Sequence, residues 1–247
     1  MSKKFKLGVV GDPIEHSLSP FIHSRFSRNE NINLNYLAYR VNNDELDIFI
    51  KEFFQDKEAK GLNITLPHKK RAALLEGKIS QEARYINAVN TIVKENDKLL
   101  LFSTDGAGFI NDIENKKFNL KNKNILIIGA GAAVESILYR VATAKPMKIT
   151  VINRTIEKAD RLIRKFGNMT KIRSEVEIDK PFDLVINGSS AGLTGNFFPE
   201  ENIPLTSKTY FYDLNYSLTE TPFCKWANEK SDNVYDGMGM LLSLIHI

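Results

Sequence analysis

Two ionisable side chains in the first half of the chain are placed for acid–base chemistry. Lys69 follows Pro67 in "GLNITLPHK", at the expected start of a helix. A cation there opposes the helix dipole, so its placement calls for a reason. An ammonium held near other positive potential and partly desolvated suits proton transfer near neutrality. Asp105 closes "STD" and can hold such an ammonium by a charge-assisted hydrogen bond. Further polar residues fall at expected strand ends: Ser17 and Ser19 in "GDPIEHSLSPFIHS", Asn63 and Thr65 in "NITLPHK", and Asn90 in "NAVNT". Ligands of open α/β sheets sit beyond the carboxyl ends of the strands, where these stretches would converge. Taken by themselves, the same residues read equally well as caps and turns.

A second constellation lies further on. "IIGAGAAV" follows an expected strand and opens a helix. Gly129 permits the tight turn, Gly131 lets the backbone approach a pyrophosphate at the helix N-terminus, and Ala130, Ala132 and Ala133 of the same stretch are expected to bind the cofactor with them. The third position of the motif holds Val134, where a bulky residue costs about 1–3 kcal/mol unless its neighbours are smaller. Glu135 must point away from any phosphate. The next strand ends "VINRT" and its helix begins "IEK". Asn153, Arg154, Thr155 and Lys158 stand where an NAD site wants a carboxylate for the ribose hydroxyl. A guanidinium there pairs with a 2′-phosphate and stacks on adenine, so the expected cofactor is NADP(H). The competing reading makes Thr155 a helix cap and Arg154 a surface charge.

The elements that must position these residues alternate. "FKLGVV", "LNYLAYRV" and "GLNITLP" read as strands, each followed by a helical pattern: "SPFIHSRFSRN" with Ser19 as N-cap and Pro20 at the first helical position, "NNDELDIFIKEFFQ" with apolar residues at 46, 49, 50, 53 and 54, and "HKKRAALLEG" closed by Gly77. "AVNTIVKENDKLLLFSTD" reads as a hairpin turning near Asn96 and Asp97. A second strand–helix series starts after "GAGFINDIENKKF". The expected fold is α/β in two domains: residues 1–105 with the returning stretch 233–247 form an N-terminal α/β domain, and 106–232 a C-terminal Rossmann-type NADP-binding domain with a parallel sheet.

Composition narrows the classes. The 247 residues are 43% hydrophobic and 26% charged, with a formal net charge of +4 spread along the chain. That excludes a disordered or fibrous chain and gives no clustered basic face for nucleic acid. No apolar stretch is long enough to span a membrane, and the basic start lacks a secretory apolar region. A soluble cytoplasmic protein is expected. The single cysteine, Cys224 in "TPFCKW", cannot form an internal disulfide and reads as a packing thiol. His16 and His23 lack a third ligand, with Pro20 between them, so they read as packed or loop-bonding and no metal is expected.

The serial set "GDPIEHSLSPFIH", "GLNITLPHK", "NAVNTI", "STDGAGF", "GAGAA", "NRT", "NGSSAGL", "YDLNYSLTETPF" and "DGMGML" resembles the shikimate dehydrogenase family, in order and over nearly the whole chain. The resemblance implies NADPH-dependent reduction of 3-dehydroshikimate to shikimate in chorismate and aromatic amino-acid biosynthesis, with the N-terminal α/β domain as the substrate-binding domain. It implies that Ser17 and Ser19 bind the substrate carboxylate with Thr65 and Tyr216, and that Asn90 and Asp105 hold ring hydroxyls. Lys69 is then the acid/base partner, fixed by Asp105. Gly129, Gly131, Asn153, Arg154, Thr155 and Lys158 match the family's NADP pattern, and Gly237 and Met240 would line the nicotinamide end. The partner implied is the small-molecule substrate, with no nucleic acid or membrane, in a monomer or homodimer.

Some positions depart from the family pattern. Asn87 stands where glycine is usual, and "STD" replaces Asn-Thr-Asp. Leu244 occupies the place of a substrate-binding glutamine, and a hydroxyl left unpaired there costs about 1–3 kcal/mol. The family continues with one more helix, whose lack would uncover part of the first domain's core. The closing "LSLIHI" resembles translated sequencing-adapter DNA. Two alternatives stand beside the main reading: a quinate/shikimate dehydrogenase preferring NAD, against which Arg154, Thr155 and Lys158 speak, and a non-catalytic ligand sensor, against which Lys69 and Asp105 speak.

Overall fold

The computed structural model describes residues 4–175, 180–190, 197 and 202–243. The chain divides into two compact units, Met1–Thr104 and Asp105–Ile247, and each is described by itself.

In the first unit, β1 (Phe5–Gly11) is followed by α1 (Ser19–Asn29), β2 (Leu34–Arg40), α2 (Leu46–Phe53) and β3 (Ala59–Ile64). Strands β2 and β3 flank β1 in parallel, as short crossovers through helices require. After α3 (Lys69–Ala72), β4 (Lys78–Ile79) and α4 (Gln81–Ile86), the expected hairpin is present as β5 (Thr91–Glu95) and β6 (Lys98–Phe102). Asn96 and Asp97 at its turn both adopt positive φ, the conformation a tight two-residue hairpin turn demands. The strand order is β2-β1-β3-β5-β6-β4. Its core joins Val10, Leu62, Ile64, Ile92 and Leu101 to Leu46, Ile50, Phe53 and Phe54 of α2 and its end, matching the predicted apolar spacing.

Two local expectations are corrected. Ser19 is not the N-cap of α1: Leu18 holds that position, and Ser17 Oγ accepts the Ser19 N–H at 3.3 Å. The helix expected over residues 68–77 stops at Ala72, and the chain forms β4 and then α4. Ser80 caps α4 through its hydroxyl, accepting from Ala83 N at 3.3 Å. Its end explains Asn87, which sits at the C-cap with φ 56° and ψ 48°. Asparagine tolerates this left-handed conformation well enough to replace the usual glycine.

The second unit contains α5 (Asp105–Asn115), β7 (Asn124–Ile128), α6 (Ala132–Thr143), β8 (Lys148–Ile152), α7 (Ile156–Phe166), β9 (Ile172–Arg173), β10 (Leu184–Asn187), β11 (Tyr210–Asp213), α8 (Pro222–Asn228), β12 (Val234–Tyr235) and α9 (Met238–Ser243). Its strands run parallel in the order β12-β11-β10-β7-β8-β9. That is the doubly wound Rossmann arrangement, with its topological switch point between β7 and β10. The stretch 233–247 was expected to return to the first unit. Its described part instead belongs to the second: Phe211 and Tyr212 pair with Val234 and Tyr235, and α9 packs on α5. A buried bond from Tyr212 OH to Asp112 Oδ2 (2.6 Å) sits at that packing, where only a residue without a Cβ fits at Gly239 beside the Asp112 carboxylate.

Candidate functional site

In the first unit two of the candidate substrate residues, Ser19 and Asn90, belong to one hydrogen-bonded row near the carboxyl ends of β1 and β3. The Tyr36 hydroxyl bonds Ser19 and donates to Asn63 Oδ1 at 2.8 Å. Asn63 Nδ2 reaches Thr91 Oγ1 at 3.5 Å, and Thr91 Oγ1 donates to Asn90 Oδ1 at 2.9 Å. Asn90 Oδ1 also accepts the Thr104 N–H (2.9 Å) and hydroxyl (3.1 Å). Burial holds the Tyr36 hydroxyl above its ordinary range, so it stays a neutral donor. Ser17 and Ser19 enter the row from the turn after β1, which Asp12 and Glu15 brace through Arg40. Thr65 follows β3 directly, its N–H bonded to Val10 O at 2.9 Å.

Lys69 is placed by its neighbours on both sides. The preceding residue, His68, is fully buried, with Nε2 2.8 Å from Val41 O and Nδ1 3.3 Å from Asn43 Oδ1. The Lys69 carbonyl accepts from Val89 N at 2.9 Å, which ties it to the residue before Asn90. Lys69 is half-buried and opens α3. Asp105, the buried first residue of α5, begins the second unit.

His23, read as packed or loop-bonding, stacks on Tyr36 with ring centroids 4.0 Å apart and planes 9° from parallel. Burial lowers its pKa to about 4. His16 is exposed. Among the described residues no group of three or more His, Cys, Asp or Glu side chains is arranged to hold a metal ion.

The second unit builds the cofactor turn at its switch point. Gly129 has φ +109°, and a Cβ there would stand 2.8–2.9 Å from the Gly188–Ser189 backbone, so both conformation and contact demand glycine. A Cβ at Gly131 would meet nothing closer than 4.0 Å. Its freedom from protein neighbours leaves the room a pyrophosphate needs at the start of α6, where Ala132 and Ala133 are also exposed while Ala130 is buried. Val134, out of pattern, is accommodated by Gly188: a Cβ at residue 188 would collide with Val134 Cγ2. Glu135 is drawn away by α7, pairing with Arg161 (2.9 Å) and Lys165 (2.8 Å).

The end of β8 favours the phosphate-bearing cofactor. Arg154, Thr155 and Lys158 are exposed, with Glu157 the acidic residue in the first turn of α7. Asn153 Nδ2 donates to Thr155 O at 2.8 Å. Thr155 is the N-cap residue but its hydroxyl makes no capping bond, so the helix-cap reading does not account for that side chain. These residues fit NADP(H): an open glycine cradle, a helix start without a side-chain cap at Gly131, and cations at the ribose end.

Gly237 directly precedes α9, and Met240 lies in its first turn. Gly237 N donates to Asn215 O at 2.9 Å, and a Cβ there would lie 2.6 Å from Leu214 O. Tyr216 follows Asn215, and burial raises its hydroxyl pKa. Leu244 lies outside the described residues.

Residues 9–92 match the family model for the shikimate dehydrogenase substrate binding domain, and residues 112–193 that for shikimate/quinate 5-dehydrogenase. A shikimate dehydrogenase (NADP(+)) from Hahella chejuensis is 37% identical over 238 residues, 95% of this chain and 88% of that protein. The chain belongs to the shikimate dehydrogenase family. Among solved structures, shikimate 5-dehydrogenase from Thermus thermophilus in complex with NADP(H) and shikimate is similar at a TM-score of 0.85 and 30% identity, covering 97% of this chain and 90% of that one. The ligand-free 5-ketofructose reductase of a Gluconobacter strain also matches, at a TM-score of 0.85 with 24% identity over 98% and 90% of the two chains. The shared fold therefore carries more than one substrate, and specificity rests on the side chains of the site.

Sequence reasoning placed the glycine turn after its strand and named the strand-end serines, asparagine and lysine as candidates. It did not single out Tyr36, Thr91 or Thr104, which link those positions into one row, nor His68. Tyr36 lies on a strand where alternation signals only a face, and no spacing reveals which partner a buried hydroxyl finds.

Proposed function

We propose that this chain reduces 3-dehydroshikimate to shikimate with NADPH, with Lys69 as the acid that protonates the carbonyl oxygen. When bound, NADPH supplies the hydride. Lys69 stabilises the negative charge that develops on the oxygen and delivers a proton to it. Ser17 and Ser19, with Thr65 and Tyr216, bind the carboxylate; Asn90 and Asp105 bind ring hydroxyls. Gly129 to Ala133 receive the pyrophosphate, Arg154, Thr155 and Lys158 the 2′-phosphate with Asn153 shaping their turn, and Gly237 and Met240 line the nicotinamide end.

The observation that carries this reading is the continuous polar row from Ser19 to Thr104, with Lys69 tied beside it through Val89. A row of neutral hydroxyls and amides suits a polyhydroxylated ring, since each ring hydroxyl both donates and accepts. A single buried cysteine fits a reducing compartment, so a cytoplasmic location belongs to the proposal, as does a monomer or homodimer. No helix of the described residues is long and apolar enough to cross a membrane.

The test is oxidation of shikimate by the purified protein, followed through nicotinamide absorbance with NADP and NAD in parallel. Turnover with NADP at higher kcat/KM than with NAD supports the proposal. A folded protein silent with both cofactors refutes it.

A further inference from the structure

The end of β11 carries a buried carboxylate with an unusual set of partners. Asp213 Oδ1 accepts from Asn187 Nδ2 (2.9 Å), Asn215 N (3.0 Å) and Asn215 Nδ2 (2.9 Å), and Oδ2 accepts from Thr221 Oγ1 (2.7 Å). Three of these are N–H donors converging on the single oxygen Oδ1, and the fourth is a hydroxyl on Oδ2. Burial pushes the Asp213 pKa up, while these hydrogen bonds oppose the shift.

The partners belong to different loops. Asn187 ends β10, directly opposite Asp213 in the sheet, and its Oδ1 accepts from Ser189 N (3.1 Å) and Ser189 Oγ (2.7 Å). Asn215 Nδ2 also donates to Ser189 O at 3.0 Å, while the Asn215 carbonyl accepts from Gly237 N at 2.9 Å. Gly188 and Ser189 form the wall against which Gly129 packs, and Tyr216 is the residue after Asn215. One carboxylate thus sits at the node of three segments: the wall of the cofactor turn, the loop presenting Tyr216, and the turn into α9.

We propose that Asp213, acting through Asn187 and Asn215, is a positioning residue that keeps the cofactor wall at Gly188–Ser189 and the Tyr216 loop in fixed register. This inference rests on the function proposed above. Asp213 touches neither ligand in that reading; its effect reaches both through the two asparagines. Loosening the node therefore weakens NADP and shikimate together, whereas a defect confined to one loop weakens one of them.

Asn215→Ala and Asp213→Asn test it, with Asp213→Ala as the reference. Asn215→Ala removes the bonds to Ser189 O and one of the three on Asp213 Oδ1, leaving the backbone bond in place. In this folded variant KM for NADP and KM for shikimate both rise, each by about fivefold or more, the scale of a lost hydrogen bond within a shared network. Asp213→Asn keeps one acceptor oxygen and lets the Thr221 hydroxyl turn to accept, so its KM values fall between wild type and Asp213→Ala. Hydrogen exchange is measured alongside: peptides covering 187–190 and 213–216 both exchange faster in either variant. Wild-type turnover with unchanged KM values in folded Asn215→Ala overturns the node and leaves the enzymatic reading intact. Absence of wild-type turnover refutes that reading, and the exchange rates alone then decide the node: loops that loosen independently, or neither loosening, overturn it.

Discussion

Val134 and Gly188 are complementary in volume: the valine Cγ2 fills the space that a Cβ on residue 188 would need. The family's third small position at the glycine turn is thus exchanged for a small residue on the neighbouring strand end. Gly188→Ala is expected to destabilise the protein by about 1–3 kcal/mol through overpacking and to raise KM for NADP, since Gly188 also abuts Gly129. Adding Val134→Ala to that variant should return most of the loss. Urea unfolding of the two single variants and the double variant reads the coupling, and strict additivity would show that the two side chains do not share the space.

Lys69→Ala should lower kcat by about 100-fold or more, the range of a lost general acid. KM for shikimate should change much less. Single-turnover reduction of 3-dehydroshikimate separates the chemical step from release, and a wild-type rate would remove Lys69 from its role.

In the proposed function the cations at the end of β8 set cofactor choice. Arg154→Ala and Lys158→Ala should each raise KM for NADP about tenfold or more, as expected from loss of a charge-assisted contact. KM for NAD, which lacks the 2′-phosphate, should hold. Parallel initial-rate measurements with the two cofactors give the result directly, and equal weakening of both would reassign these residues to the surface.

His23 makes stability pH-dependent in a defined direction. Its pKa falls from the model-peptide 6.5 to about 4 because its ring is buried against Tyr36. Between those values the unfolded chain binds a proton that the folded chain does not, so stability falls as pH drops through this window and this contribution levels off below about pH 4. His23→Phe, which keeps the stack, should lose less stability between pH 7 and pH 5 than wild type. Urea midpoints at the two pH values test the sign; an equal loss in both proteins would show that His23 titrates normally.

Cys224 should be inert. Its Sγ lies 3.8 Å from Tyr235 O in the buried cluster around Phe223, and burial pushes the thiol up to about 11. At pH 7.5 a thiol reagent such as DTNB should label the native protein far more slowly than the protein in urea, with activity unaffected over the native time course. Rapid native labelling would place the thiol at the surface.

Much of this was legible in the chain. Apolar alternation and glycine punctuation located the strands, the glycine turn after β7 and the hairpin at Asn96–Asp97, because local conformational preferences decide such features. The serial motifs carried the family, and the polar strand ends named the candidate site, since strand ends in an α/β fold converge whatever their distance in sequence. Other features needed the tertiary structure. Whether Val134 was a defect depended on Gly188, more than fifty positions away. The helix expected over 68–77 ends at Ala72, and the chain turns before β4, where Ile79 pairs with Leu101 in a long-range ladder that local helix preference cannot foresee. The stretch from 233 joined the second unit because β11 offered a free parallel edge to Val234 and Tyr235. Residue types and their order determined what chemistry the chain carries; packing decided which neighbour satisfies each buried polar group, and so how firmly that chemistry is held.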